Sequence, residues 1–213
     1  IVFGDWSSDV CSSDLDNVKT AGIQAIRNDF TGYTQSDGIP ELKKAIIRRL
    51  LEDDGIEYKD QEIIVSTGAK TSIFLALATT VNPGDDVIVP APYWVSYPEQ
   101  VKLLGANPVI VNTRESDNFL MTPDQLEAHL TDRTRALILN NPSNPTGAAY
   151  SAEQLRPVLE TAFKNDLLII ADEIYSKIIY DGFRFVRAVN VLPAARANIL
   201  TIDGVSKAYS MTG

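Results

Sequence analysis

The side chains of this chain best suited to chemistry fall in a few short segments: Thr67-Gly68-Ala69-Lys70, Tyr93-Trp94, Asn141 to Gly147, Asp172-Glu173-Ile174-Tyr175 and Ser206-Lys207. Small residues at Gly68 and Ala69 let a backbone approach a ligand closely, and a helix starting there would offer its first N–H groups to an anion. The segment is not a Walker sequence, and a plain tight turn accounts for it equally well. Two Asn-Pro steps, at Asn141-Pro142 and Asn144-Pro145, fix a sharp path that either aims an amide into a cleft or stiffens a loop. Asp172 ends a strongly apolar run, where burying a carboxylate without a cationic partner is costly. Lys207 could serve as an imine-forming nucleophile if its surroundings lower its pKa, although a lysine by itself is usually a solvated surface group.

These groups make sense together only if the fold gathers them. Ile39-Pro40-Glu41-Leu42 opens a helix, with Pro40 suited to its first turn. Leu42, Ala45, Ile46 and Leu50 recur at helical spacing until Gly55. Short β-rich runs then alternate with helical stretches. Strands are expected over Glu62–Ser66, Asp86–Pro90, Pro108–Asn112, Ala136–Asn140, Leu167–Ala171 and Ile199–Ile202. Helices are expected from Ala69 to Val81, near Ser96–Leu104, near Pro123–Leu130 and over Ala152–Asn165. Leu137-Ile138-Leu139 and Leu167-Leu168-Ile169-Ile170 are apolar throughout rather than alternating, which marks strands buried on both faces of a mostly parallel sheet. The fold class is therefore α/β, with helices on both faces. In such sheets ligands gather at the carboxyl ends of the strands, and each segment named above follows an expected strand there.

Composition narrows the class of function. The 213 residues carry 19 basic and 28 acidic side chains, a net charge of −9, with 45% apolar and 22% charged residues. That balance argues against a nucleic-acid binder or a polybasic membrane anchor. One cysteine, Cys11, and one histidine, His129, exclude a disulfide within the chain and any metal site built from either type. His129 is read as a helix-surface residue without a role. Residues 1–15 stand apart, because Asp5 to Leu15 (D-W-S-S-D-V-C-S-S-D-L) reads like a translated sequencing adapter, and this stretch is excluded from the fold. The chain also stops in mid-pattern at Ser210-Met211-Thr212-Gly213. Residues 16–213 are accordingly expected to be one partial large domain, with its small domain and last strands missing.

Taken in order, Tyr33, Gly38-Ile39-Pro40-Glu41-Leu42, Gly68-Ala69-Lys70, Pro92-Tyr93-Trp94-Val95-Ser96-Tyr97-Pro98, Asn144-Pro145-Thr146-Gly147, Asp172-Glu173-Ile174-Tyr175 and Ser206-Lys207-x-x-x-Met211-Thr212-Gly213 resemble the class I/II aminotransferases. These belong to the fold-type I pyridoxal-phosphate superfamily, and the chain is most similar to the bacterial aspartate and aspartate/prephenate subgroup. The resemblance implies pyridoxal 5'-phosphate as cofactor, with Lys207 as the lysine that forms an imine with it and then moves protons as base and acid. It implies that Asp172 pairs with the pyridine nitrogen, keeping the ring an electron sink. Tyr175 and Asn144 would bond the cofactor's 3-oxygen, Trp94 would stack on the ring, and Gly68, Ala69 and Lys70 would cradle the phosphate. Trp94 and Asn144 would also meet substrate, and Tyr33 would reach the phosphate of a neighbouring subunit, which implies a homodimer.

Two positions depart from the pattern: Asp203 stands where many relatives carry Asn, and Gly204 where some carry a phosphate-binding serine. The arginines expected beyond Lys207 are not in the sequence. The activity implied is transfer of an amino group between an amino acid, with aspartate favoured, and a 2-oxo acid such as 2-oxoglutarate, in the cytoplasm. Lys70 would favour a dicarboxylate. Alternatives on the same fold are a C–S lyase, a 1-aminocyclopropane-1-carboxylate synthase, or the ligand domain of a transcriptional regulator. In this family a strand after the lysine inserts between the first and last strands named above. Without it the 213-residue chain is expected to be inactive and aggregation-prone.

Overall fold

The computed structural model describes residues 15–212, so the adapter-like stretch lies outside it apart from Leu15. Five parallel strands form one sheet in the order β2-β1-β3-β4-β5: β1 Asp86–Ala91, β2 Asn107–Asn112, β3 Thr134–Asn140, β4 Leu168–Asp172 and β5 Ile199–Ile202. The helices are α1 Asp16–Arg27, α2 Pro40–Asp54, α3 Ala69–Thr80, α4 Ser96–Leu103, α5 Pro123–Ala128, α6 Ala152–Lys164, α7 Ala188–Val191 and α8 Val205–Ala208.

The unbroken apolar runs have the meaning expected of them. In β3, Leu137 and Leu139 join one core layer while Ala136 and Ile138 join the other. In β4, Ile169 and Ala171 face the first layer and Ile170 the second. Residues of α5, α6 and α7 (Leu126, Leu155, Val158, Leu159, Val191) complete the first layer. Residues of α3 and α4 (Ile73, Leu77, Tyr97, Val101) complete the second. A strand covered on both sides has no solvent face to mark with polar residues, so it cannot alternate.

Local signals set the helix starts. Pro40 sits in the first turn of α2, and Gly55 ends that helix in the left-handed region at φ 67°. Thr122 with Gln125, and Ser151 with Gln154, form capping boxes at the starts of α5 and α6. His129 caps the C-terminal end of α5, its Nδ1 2.7 Å from the Gln125 carbonyl oxygen, so the helix stops short of the expected Leu130.

One expected strand is absent. Ile63 is extended, but residues 63–66 pair with no strand among those described, and a three-residue 3₁₀ turn at Asp60–Glu62 takes the start of the segment. The run is held instead from the side. Val65 N–H donates to the Asp37 carbonyl at 3.0 Å, and Gly38, at φ 110°, lies so close that a Cβ there would fall 2.6 Å from Val65 Cγ2. Buried Lys43 bridges Asp37 and Asp60 at 2.6 and 3.2 Å and fixes both ends of this arrangement. A β-rich sequence makes a strand only when a ladder partner lies beside it.

Candidate active site

The parallel register brings the strand ends level: Asn140 of β3 pairs with Asp172 of β4, and Asp172 with Ile202 of β5. The residues at or just past those ends are therefore neighbours in space although Asn140 and Ile202 lie 62 positions apart.

Asp172 is the centre of the cluster. It is 2% exposed, and its Oδ2 accepts a hydrogen bond from the Tyr97 hydroxyl at 2.5 Å, while the Ile174 N–H donates to Oδ1 at 3.3 Å. No lysine, arginine or histidine among the described residues pairs with it. Burial raises its pKa above the ordinary carboxylate value, and the Tyr97 and Ile174 bonds only partly oppose that shift. Tyr97 is itself pushed well above the usual phenol range, by burial and by the negative charge of Asp172. Its ring meets Trp94 edge-on, with centroids 5.5 Å apart. Lys70 Nζ stands 5.0 Å from the centroid of the same indole, in cation–π range.

The Asn141–Gly147 loop is attached to the same place. Asn140 Nδ2 donates to the Asp172 carbonyl at 3.0 Å, and its Oδ1 accepts from the Asn144 N–H at 2.7 Å. Asn144 Nδ2 then reaches the Tyr175 hydroxyl at 3.4 Å. Burial, with Asp172 nearby, raises the pKa of Tyr175. Lys207 Nζ lies 5.8 Å from the centroid of the Tyr175 ring. At the far side, Gly68 turns the chain into α3 at φ 89°, a left-handed conformation that favours glycine. No side chain caps α3; the Thr71 and Ser72 N–H groups bond back to the Gly68 carbonyl at 3.1 and 3.2 Å, while those of Ala69 and Lys70 lie ahead of the first bond that the helix can offer. Gln100 of α4 holds the Lys70 carbonyl at 2.9 Å and ties that turn to the Trp94–Tyr97 segment.

The structure thus brings together Lys70, Trp94, Asn144, Asp172, Tyr175 and Lys207, with Gly68 and Ala69 at the helix start. Tyr33, by contrast, is fully exposed. Two members escaped the sequence reading. Tyr97 was quoted only within the Pro92–Pro98 segment and given no role, and nothing local shows that its hydroxyl meets a carboxylate 75 positions away. Asn140 was counted only as the end of its strand.

The model for aminotransferase class I and II matches residues 4–213. The chain belongs to the class I and II aminotransferase family. Curated relatives include an aspartate aminotransferase from Bacillus sp. (strain YM-2), 44% identical over 197 residues, which covers 92% of this chain and 50% of that protein. A probable aspartate/prephenate aminotransferase from Rickettsia bellii (strain RML369-C) is 45% identical over 199 residues, covering 93% and 50%. Among solved structures, the aspartate aminotransferase from Rhizobium meliloti superposes with a TM-score of 0.92 at 44% identity, covering 94% of this chain and 50% of that one. The Thermus thermophilus aspartate aminotransferase with maleate gives 0.88 at 37%, covering 93% and 51%. The chain spans about half the length of the relatives it matches.

The residues present fit the cofactor that class I and II aminotransferases imply. Asp172 is a buried acid lacking a cation, the shape of site a protonated ring nitrogen would complete. An uncapped helix start suits a phosphate, and a phenol and an amide meet where a ring oxygen would need donors.

Proposed function

We propose that this protein transfers an amino group between aspartate and a 2-oxo acid such as 2-oxoglutarate, using pyridoxal 5'-phosphate. The observation that carries the reading is the buried Asp172 carboxylate, which shares its site with Tyr97 and a backbone N–H but with no cation. The membership of the family and the names of the relatives support the same reading. When bound, the cofactor supplies an electron sink for the carbanion left when a proton leaves the amino acid's α-carbon.

The chain's own residues do the rest. Asp172 would hold the ring nitrogen protonated, and Tyr97 and the Ile174 N–H would fix the carboxylate's orientation for that contact. Trp94, braced edge-on by Tyr97, would offer its face to the ring. Asn144 and Tyr175 would donate to the ring oxygen, and the start of α3 with Gly68, Ala69 and Lys70 would hold the phosphate. Lys207 would attach the cofactor and carry the proton between the α-carbon and the cofactor's carbon. Lys70, cationic at the rim beside Trp94, favours a second carboxylate on the substrate.

Exposed Tyr33, together with α1, whose residues are nowhere buried and which presents Ile23 and Ile26 to solvent, supports a homodimer in which Tyr33 serves the partner's site. No helix among the described residues is long and apolar enough to cross a membrane, which is consistent with a cytoplasmic enzyme.

The test uses the protein expressed from its native gene, supplied with pyridoxal phosphate, aspartate and 2-oxoglutarate. Glutamate and oxaloacetate should form in equal amounts, and Lys207→Ala should abolish both this and the visible absorbance band. Elimination products from a sulfur amino acid, with no amino transfer, would refute the reading.

A further inference from the structure

Arg187 is the largest side chain among the fully buried ones, 1% exposed, and it lies outside every segment the reaction uses. Its guanidinium meets three carboxylates: Nε donates to Asp54 Oδ2 at 2.6 Å, Nη1 to Glu173 Oε2 at 2.8 Å and Nη2 to Asp203 Oδ2 at 2.9 Å. Burial works against its charge, but Glu173 and Asp203 more than offset that and keep it cationic. Glu173 directly follows Asp172. Asp203 comes just before the helix that carries Lys207.

That helix, α8, is a single turn with no buried residue. Its backbone bonds at the C-terminal side, Tyr209 N–H to the Val205 carbonyl and Ser210 N–H to the Lys207 carbonyl, stay within the turn. With only Ser206 and Ala208 half-buried along it, its position depends chiefly on its two ends. At the start, Asp203 Oδ1 accepts from the Gly204 N–H at 2.7 Å, while Oδ2 takes Arg187 and also Arg49 Nη1 at 3.4 Å. At the finish, the Arg49 guanidinium lies 5.8 Å from the Tyr209 ring centroid. A second contact fixes the approach: Gly204 packs so tightly on Ile174 that a Cβ there would lie 3.0 Å from Cδ1. Both brackets of α8 thus lead back to one ionic cluster, which also grips the residue after Asp172 and the end of α2.

We propose that Arg187, acting through Asp203 and aided by Arg49, is a positioning device that fixes Lys207 relative to Asp172. The inference rests on the roles proposed above for those two residues. A planar guanidinium is suited to this task because its donors sit in a rigid fork and can orient three acids at once. Displacement of a reacting group by about 1 Å can cost on the order of 100-fold in rate, so loosening α8 should appear in turnover rather than in substrate affinity.

The test compares Asp203→Asn, Arg49→Gln and Asp54→Asn in the protein expressed from its native gene and loaded with pyridoxal phosphate. Asp203→Asn keeps shape and the Gly204 bond but removes the carboxylate that Arg187 and Arg49 share. It should lower kcat about 10- to 100-fold with KM little changed. It should also move the pH midpoint of the visible band that depends on Lys207. Arg49→Gln, which unties both ends of α8 from outside the buried core, should do the same to a smaller degree. Asp54→Asn removes the nearest of the three carboxylates from Arg187 without touching α8. It should lower the thermal midpoint yet leave kcat and the absorbance midpoint at wild-type values. Wild-type kcat and absorbance midpoint in Asp203→Asn would overturn the positioning role alone, as would an equal loss in Asp54→Asn. Absence of a Lys207-dependent band in the wild type would overturn the proposed function, and this inference with it.

Discussion

Replacing Tyr97 by Phe isolates one hydroxyl. The ring is buried and packs edge-on against Trp94, and phenylalanine keeps both properties. What is lost is the 2.5 Å bond to Asp172 Oδ2, leaving the carboxylate with the Ile174 N–H at 3.3 Å. A hydrogen bond to a charged group contributes about 1.5–3 kcal/mol, and one between neutral groups about 0.5–1.5. The penalty should therefore depend on the protonation of Asp172. Its folded pKa already lies above the ordinary value of 3.8, and losing the phenol donor raises it further. An acid with a raised folded pKa contributes stability that is fully present below the unfolded pKa and is lost as pH rises through the folded one. The cofactor-free Tyr97→Phe protein should thus be destabilised by about 1 kcal/mol where Asp172 is protonated and by about 2–3 kcal/mol where it is charged. Urea unfolding of both proteins, in steps of pH upward from the ordinary carboxylate range for as long as both stay folded, measures this directly. A penalty below about 0.5 kcal/mol throughout, or one that shrinks as pH rises, would show that the hydroxyl does not support a charged Asp172.

Other consequences are equally open to measurement. Burial pushes Glu173 up to about 7 from 4.5 despite Arg187, because that one cation is shared with Asp54 and Asp203. Stability from this group is full below about 4.5 and lost as pH rises through about 7, so Glu173→Gln should flatten the thermal midpoint across that window. Gly38→Ala should cost about 1–3 kcal/mol, through the clash with Val65 and the positive φ, read as a lower urea midpoint at unchanged slope. Leu137→Ala, in an unexposed side chain of the core layer that α5, α6 and α7 complete, should cost about 2–5 kcal/mol in the same assay.

Much of this arrangement could be read from residue order. Strands buried on both faces announce themselves by losing alternation, as in Leu137-Ile138-Leu139, and the polar residue that ends such a run then stands at the ligand edge. Asn144, Asp172, Tyr175 and Lys207 were singled out that way, from position after a strand. The parts that were missed depend on partners distant in sequence. Residues 62–66 have a strand's composition, but whether a ladder forms is decided by a neighbour, not by the segment. Tyr97 sits where helix periodicity asks for a core residue, and its hydroxyl leaves no mark on that pattern. Arg187 occupies an irregular stretch where a surface arginine would be unremarkable, and only the convergence of Asp54, Glu173 and Asp203 gives it meaning. Helix α1 was not anticipated either, since its sequence falls between the adapter-like stretch and the first clear cap.

Asp172 and Glu173 are adjacent acids with opposite destinations: the first turns toward Tyr97 on the α4 side, the second toward Arg187 and the Ala188 N–H on the α7 side. Side chains of an extended chain alternate, so which acid enters which compartment is set by parity along β4. A single-residue deletion in β4 would bring Glu173 to the α4 side and Ile174 to the α7 side, an insertion would bring Ala171 and Asp172 there instead, and no later substitution at one position could restore both. Point changes along this strand can be absorbed one at a time, whereas a change in its length by one is a simultaneous failure at two places. The fixed length runs on past the strand, because Glu173, Ile174 and Tyr175 take their partners from the segment that follows Asp172.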